Sequence, residues 1–193
     1  MLESQGRFLE AVPLFEEVLA RDRAKLGDEH SETLTSVYTL AVLHSMNDEK
    51  EKALCLAKEA LAGRRRTLGD DDVSTLSSMS LVGILHITLE QYDAALPLCL
   101  EVLQGRRRVL GEEHISTQDS VNDLAVLYND KGEPEKAIPL YQQAVIHCRR
   151  LLGNTHPNTL RAIQNLGEAT CSTGPAGLQV LASSSPHSIN FGG

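Results

Sequence analysis

Apolar residues recur along this chain at spacings of three and four, in blocks parted by short polar breaks. The first block covers about residues 7–25. There Phe8, Ala11, Val12, Leu14, Phe15, Val18 and Leu19 alternate with Glu10, Glu16, Glu17 and Arg21, and Gly6 stands just before. Such spacing lines one stripe of an α-helix with apolar side chains. The same pattern predicts helices over about 31–46, 49–66, 73–88, 91–108, 115–130, 133–151 and 157–171, the last started by Pro157 and the one before it tolerating Pro134 in its first turn. After residue 172 the pattern fails. The slot of Ala11, Ala53, Ala95 and Ala137 would next fall on Gln179, and Ser183-Ser-Ser-Pro-His-Ser188 is polar. Residues 173–193 are expected to form an irregular tail, with one short helix around 176–182.

The breaks repeat as well. Leu26-Gly27, Leu68-Gly69, Leu110-Gly111 and Leu152-Gly153 open four stretches in one register, a fixed step of 42 residues without insertion. A fixed period in this range marks a repeat architecture. Each glycine suits the position just past a helix end, where positive φ is needed. Acids such as Asp28 and Glu29 then meet the positive end of the next helix dipole. Within each unit the first helix (A) carries a small residue at Ala41, Gly83, Ala125 and Gly167. The second helix (B) carries one at Ala53, Ala95 and Ala137. Small residues at fixed slots bring two helices close, while Leu40, Val82, Leu124 and Leu166 fill the space beside them. The expected divisions are a partial repeat at 1–25 (helix B only), repeats at 26–67, 68–109 and 110–151, a partial repeat at 152–172 (helix A only) and the tail.

Composition narrows the function. A net charge of −8 and a pI near 5.3 argue against a nucleic-acid or membrane-surface binder, which needs a basic footprint. There is no Trp, so the core must come from Leu, Ala, Val and Ile. Cys55, Cys99, Cys148 and Cys171 lack metal-ligand spacing and read as reduced thiols. The start of the chain lacks the basic-then-apolar pattern of a signal peptide, and no apolar run is long enough to span a membrane. A cytoplasmic location is expected.

Two further features place the repeat in a family. The opening Leu152-Gly153, His156-Pro157 and Thr159-Leu160, with Asn165-Leu166, carries the first. Leu124-Ala125-Val126-Leu127-Tyr128 and Ala137-Ile138-Pro139-Leu140-Tyr141 carry the second. These resemble the tetratricopeptide repeat, in its 42-residue kinesin light chain subtype, over roughly residues 1–172. The side-chain sizes distinguish it from a HEAT-type helix pair. The resemblance implies an all-α fold, a right-handed superhelical α-solenoid of helix-turn-helix repeats. It also implies a protein-interaction scaffold that holds a peptide or helical segment in a concave groove lined by the A helices. The alternative is a structural piece of a larger motor-adaptor or signalling protein.

Candidate chemistry is sparse. His30, His114 and His156 recur at one slot, with Asp72 in the remaining unit, and read as polar residues at helix starts. His44 and His86 share the slot of Tyr128 and read as packed aromatics. Arg64-Arg-Arg66 and Arg106-Arg-Arg108 end B helices and read as solvated cations that complement the helix dipole, the alternative being a basic ridge on the outer face. Thr33, Thr75, Thr117 and Thr159 read as first-turn residues bonded locally. No nucleophile has a paired base, so no catalytic residue, metal site or cofactor is expected. In the resembled subtype, paired Asn residues of helix A bind peptide backbone. The slots here hold Tyr38, Thr39, Ser80, Asn122, Asp123, Gln164 and Asn165. The A helices carry almost no cations, whereas Asp119, Asp123 and Asp130 are acidic. A neutral or basic partner segment is expected rather than a strongly acidic one.

Overall fold

The structure is a computed structural model that describes the backbone of residues 2–172 and the side chains of 11–171. Eight helices follow one another without a strand among the described residues: α1 (Leu2–Leu26), α2 (Ser31–Met46), α3 (Lys50–Leu68), α4 (Val73–Thr88), α5 (Tyr92–Leu110), α6 (Ile115–Asp130), α7 (Pro134–Leu152) and α8 (Pro157–Ser172). The periodicity thus places every helix, with one departure. α1 starts near Leu2 and runs through Gly6, which the sequence sets before the helix. A single glycine costs a helix only about 1 kcal/mol, too little to stop it. The short helix expected at 176–182 lies outside the described residues.

The chain divides into two compact units, residues 1–112 and 113–193. In the first, α1 packs on α2, α2 on α3, α3 on α4 and α4 on α5, while α2 also touches α4. In the second, α6 packs on α7, α7 on α8, and α6 touches α8. Contacts reach only near neighbours, as in a repeat architecture. The core of the first unit gathers Ala41, Ala53, Ala57, Leu61, Met79, Val82, Leu85 and Val102. That of the second gathers Ala125, Ala137, Ile138, Tyr141 and Ala169. Ala41, Ala53, Ala95, Ala125 and Ala137 are all 0% exposed, so the small slots are where helices meet. A Cβ added at Gly83 would stand 3.3 Å from Cys99 Sγ and 3.7 Å from Leu98 Cβ, which fixes the approach of α4 to α5.

The 42-residue joints are built alike. Gly27, Gly69, Gly111 and Gly153 have φ of 86°, 85°, 87° and 86°, and each N–H closes the preceding helix on an arginine carbonyl four residues back. Three residues later a side chain caps the next helix. Nδ1 of His30, His114 and His156 accepts from the backbone N–H of Glu32, Ser116 and Asn158, at 3.3, 3.1 and 3.2 Å. Asp72 takes this role with two bonds, from Ser74 N at 2.8 Å and Thr75 N at 3.4 Å. Asp72→Ala should therefore destabilise the first unit by about 1–2 kcal/mol, against a few tenths for Asp72→Gly. Urea unfolding followed by circular dichroism would measure both.

The turns inside each unit share a second device. Asp48, Glu90 and Gly132 occupy one slot with φ of 62°, 58° and 82°. The next residue's N–H then reaches back five residues, Glu49 to His44, Gln91 to His86 and Glu133 to Tyr128, at 2.9, 2.8 and 2.8 Å. Only the third turn carries the glycine that sequence reading recognises. The buried rings of His44 and His86 are held in the same turns, with Nδ1 at 2.6 Å from Glu49 Oε2 and from Gln91 Oε1. They are packed aromatics, as their slot predicts. Hydrogen bonds from Lys52, then His44, hold the Glu49 carboxyl below its ordinary range.

Two expectations fail. Arg64 and Arg106 are 6% and 8% exposed, so the first arginine of each triplet is buried rather than solvated. The other four do lie at the surface, paired with acids: Arg65 with Asp70 and Glu101, Arg66 with Glu29, Arg107 with Glu112, Arg108 with Asp71. They form no basic ridge. The recurring threonines are fully buried, and Thr159 Oγ1 donates to the Gly153 carbonyl at 2.8 Å. The Thr33 and Thr75 hydroxyls have no hydrogen-bond partner. The slot selects a small β-branched side chain for packing.

Candidate functional site

Each unit contains one pair of adjacent A helices, α2 with α4 and α6 with α8, and the slots singled out in the sequence lie on these pairs. In the second unit two of them meet. Asn165 Nδ2 of α8 donates to Asn122 Oδ1 of α6 at 3.3 Å. Asn122 is 7% exposed and Asn165 is half-buried. The remaining amide groups, the Asn122 NH2 and the Asn165 oxygen, keep the donor and acceptor that an extended backbone needs. Asp123 is half-buried beside them. Gln164 is exposed and donates through Nε2 to Glu168 Oε1 at 2.9 Å, one turn further along α8. Arg161 approaches Asp119 at 3.6 Å, so the single arginine of this helix pair faces an acid.

Burial, with nearby acids after it, raises two groups behind the surface. The Tyr141 hydroxyl is pushed well above its usual value, first by burial and then by Asp130 and Glu168. The Cys148 thiol is raised by burial and then by Asp119. Tyr141 therefore stays neutral, and Cys148 is an inert structural thiol. None of the four cysteines is in a disulfide, with Cys55 and Cys171 exposed and Cys99 and Cys148 buried.

The first unit is built from different side chains at the same slots. Tyr38 stands where Asn122 stands, and Leu81 where Asn165 stands, so no amide pair forms. Tyr38, Thr39 and Ser80 are all half-buried. The Thr39 hydroxyl is turned onto its own helix, donating to the Thr35 carbonyl at 2.9 Å. Tyr38 supports Arg64 from α3, whose guanidinium carbon lies 4.8 Å from the ring centre. Arg64 Nη1 donates to the Ser74 carbonyl at 3.0 Å and to Ser78 Oγ at 2.9 Å. Its Nη2 donates weakly to Thr35 Oγ1 at 3.4 Å. Burial lowers the affinity of this guanidinium for its proton, and Tyr38 and Asp72 work in the opposite direction.

Sequence reading missed this arginine, because its α3 position lies outside the A helices counted for cations. The signal available was its phase. Arg64 lies one turn beyond Ala60, on the buried stripe, whereas Arg65 and Arg66 leave that stripe. A separate cleft of about 410 Å³ opens between α1, α2 and α3, lined by Leu19, Leu40, Leu56, His44 and Cys55. Glu16, Arg23 and Lys52 also line it. Among the described residues no His, Cys, Asp or Glu cluster could hold a metal ion, and no helix is long and apolar enough to cross a membrane.

Comparison with known proteins follows this geometry. The family model described as Tetratricopeptide repeat matches residues 1–66, 74–145 and 116–174. Among solved structures, a Podosopora anserina protein assigned as a kinesin light chain, with nearly identical TPR-like repeats, superposes with a TM-score of 0.75 at 26% identity. The match covers 93% of this chain and 86% of that one. BtubC (BKLC) from P. vanneervenii superposes with a TM-score of 0.76 at 18% identity, covering 99% of this chain and 81% of that one, which speaks for the fold alone. No curated protein matches the chain.

Proposed function

This chain belongs to the tetratricopeptide repeat family, and from that premise we propose that it is a protein-interaction scaffold holding a peptide or helical segment along its A helices. Residues 26–67, 68–109 and 110–151 are read as complete repeats, and 1–25 and 152–172 as half repeats. The observation that carries the proposal is the Asn122–Asn165 pair, two side-chain amides on neighbouring helices with a donor and an acceptor left over. Such a pair matches the alternating N–H and C=O of a peptide backbone and needs no particular side chain. In the first unit, Tyr38 and Leu81 at the same slots would take an apolar side chain of a ligand. Thr39, Ser80, Asp123 and Gln164 complete the candidate surface.

A neutral or basic ligand fits the charges. Arg161 is opposed by Asp119, Arg64 is buried, and Asp123, Asp130 and Glu168 add negative potential. Among the described residues no arrangement of nucleophile and base supports an enzymatic role. The test is capture of partners by the wild-type chain beside an Asn122→Ala/Asn165→Ala variant, with circular dichroism to confirm that both fold. Loss of about 1–2 kcal/mol of hydrogen bonding should weaken peptide binding by roughly tenfold. Equal binding by the two chains, or a peptide array in which acidic sequences win, would count against this reading.

A further inference from the structure

The cleft between α1, α2 and α3 is left over by the peptide surface proposed above, none of whose residues lines it. It is an internal feature of the first unit. α1 and α3 both pack on α2, and Arg23 of α1 reaches across to Glu59 of α3. The floor is apolar. Leu19 of α1 and Leu40 of α2 are 5% and 4% exposed, and Leu56 of α3 is half-buried. A volume of about 410 Å³ lies within the range of small-molecule sites, which join an apolar lining to a few placed polar groups.

The placed polar group is His44. Its side chain is 6% exposed, lines the cleft, and holds Nδ1 at 2.6 Å from Glu49 Oε2. Hydrogen bonds from Lys52 and His44 keep the Glu49 carboxyl ionised. A carboxylate only accepts, so the ring proton sits on Nδ1. A neutral ring with its proton there leaves Nε2 as an acceptor. No described residue donates to Nε2, and the ring edge turned away from Glu49 is the one available to the cleft.

The charges at the rim are already matched. Arg23 pairs with Glu59 and Asp28, and Lys52 with Glu49, while Glu16 of α1 attracts Lys52 as well. A carboxylate or phosphate entering the cleft would have to displace one of these acids. A neutral donor displaces none and satisfies the one open acceptor.

We propose that this cleft binds a small, neutral, apolar molecule bearing one hydroxyl, which donates to His44 Nε2 while the apolar body lies on Leu19, Leu40 and Leu56. The site is independent of peptide binding along the A helices. Cys55 supplies a reporter. Its thiol is exposed on the cleft wall, at a slot that carries Pro13, Pro97 and Pro139 in the other B helices, so the fold does not depend on a thiol there.

Alkylation of the 193-residue chain by iodoacetamide, read at Cys55 and Cys171 by mass spectrometry, tests this with β-naphthol as the probe. β-Naphthol at about 1 mM should slow Cys55 by roughly twofold to tenfold, as for a Kd of about 0.1–1 mM, and leave the exposed Cys171 of α8 unchanged. Its methyl ether keeps the shape without the donor, and β-naphthoate replaces the donor with a charge. Each should bind roughly threefold to tenfold more weakly. Ala20→Trp puts an indole at the rim, where the same slot of α7 carries the exposed Ile146, so this variant should fold and lose the protection. His44→Phe, at a slot that Tyr128 fills with an aromatic ring, should bring β-naphthol down to the level of its ether. Circular dichroism checks both folds. A Cys55 rate unchanged by β-naphthol overturns the proposal, as does equal protection by the ether, by naphthoate or in Ala20→Trp. Protection by an apolar peptide where β-naphthol gives none would assign the cleft to a protein partner and overturns it too.

Discussion

Leu85→Ala should cost the first unit about 2–5 kcal/mol, more than any surface change in this chain. Leu85 is 0% exposed and shares its core with Met79, Val82, Ala53, Ala57 and Val102. Those neighbours belong to three helices, α3, α4 and α5, already held close by alanine and glycine at their crossings. A helix pair whose spacing is set by backbone contact cannot collapse into a vacated leucine site, so the upper half of the range is expected. Energies along a repeat array add approximately by neighbour. The loss should therefore be largest in α2–α5, and amide hydrogen exchange read helix by helix measures it. Equal loss of protection in α8 would show that the whole chain unfolds as one.

Arg64→Ala should cost about 2–4 kcal/mol, and Arg64→Met about half of that. Arg64 is 6% exposed, and the partners of its guanidinium are a carbonyl, two hydroxyls and the Tyr38 ring. Truncation to alanine leaves a cavity between α2 and α4 and strips Ser78 of its donor. Methionine refills most of the volume and removes the expense of keeping a charge out of water, so it should recover part of the loss. Thermal denaturation of the two variants side by side separates packing from charge. If methionine proved as damaging as alanine, the hydrogen bonds to α4 would outweigh the filled space.

Helix positions were legible because two independent regularities agree. Apolar residues recur at helical spacing within each block, and the blocks recur at 42 residues. The small slots also stood out, since Ala41, Gly83, Ala125 and Gly167 fall in one register while their neighbours are large. Arg64 was not legible because charge type suggests solvent, and only its phase on α3 shows that it points inward. Asp48 and Glu90 were hidden for another reason. Left-handed backbone is announced by glycine, and at these turns a side chain is tolerated at a cost of about 1 kcal/mol. The candidate surface was half legible. Asn122 and Asn165 could be named, but their mutual hydrogen bond joins positions 43 residues apart and rests on how α6 meets α8.

The arginine pairs that cross from helix to helix have a consequence for how such a chain can change length. They link residues 36 or 37 apart, always to the same slot of a neighbouring stretch. Excising residues 26–67 would bring Arg23 against Glu101 in place of Glu59, and the link from Arg108 to Asp71 would be untouched. Losing that repeat therefore keeps opposite charges together, whereas losing residues 68–109 would set Arg65 against the neutral Gln143. A gain or loss of any other size within a helix throws the charges out of step along with the apolar stripe. Parts joined this way are interchangeable where the charges recur, and recombination there can lengthen or shorten the array without redesigning its seams.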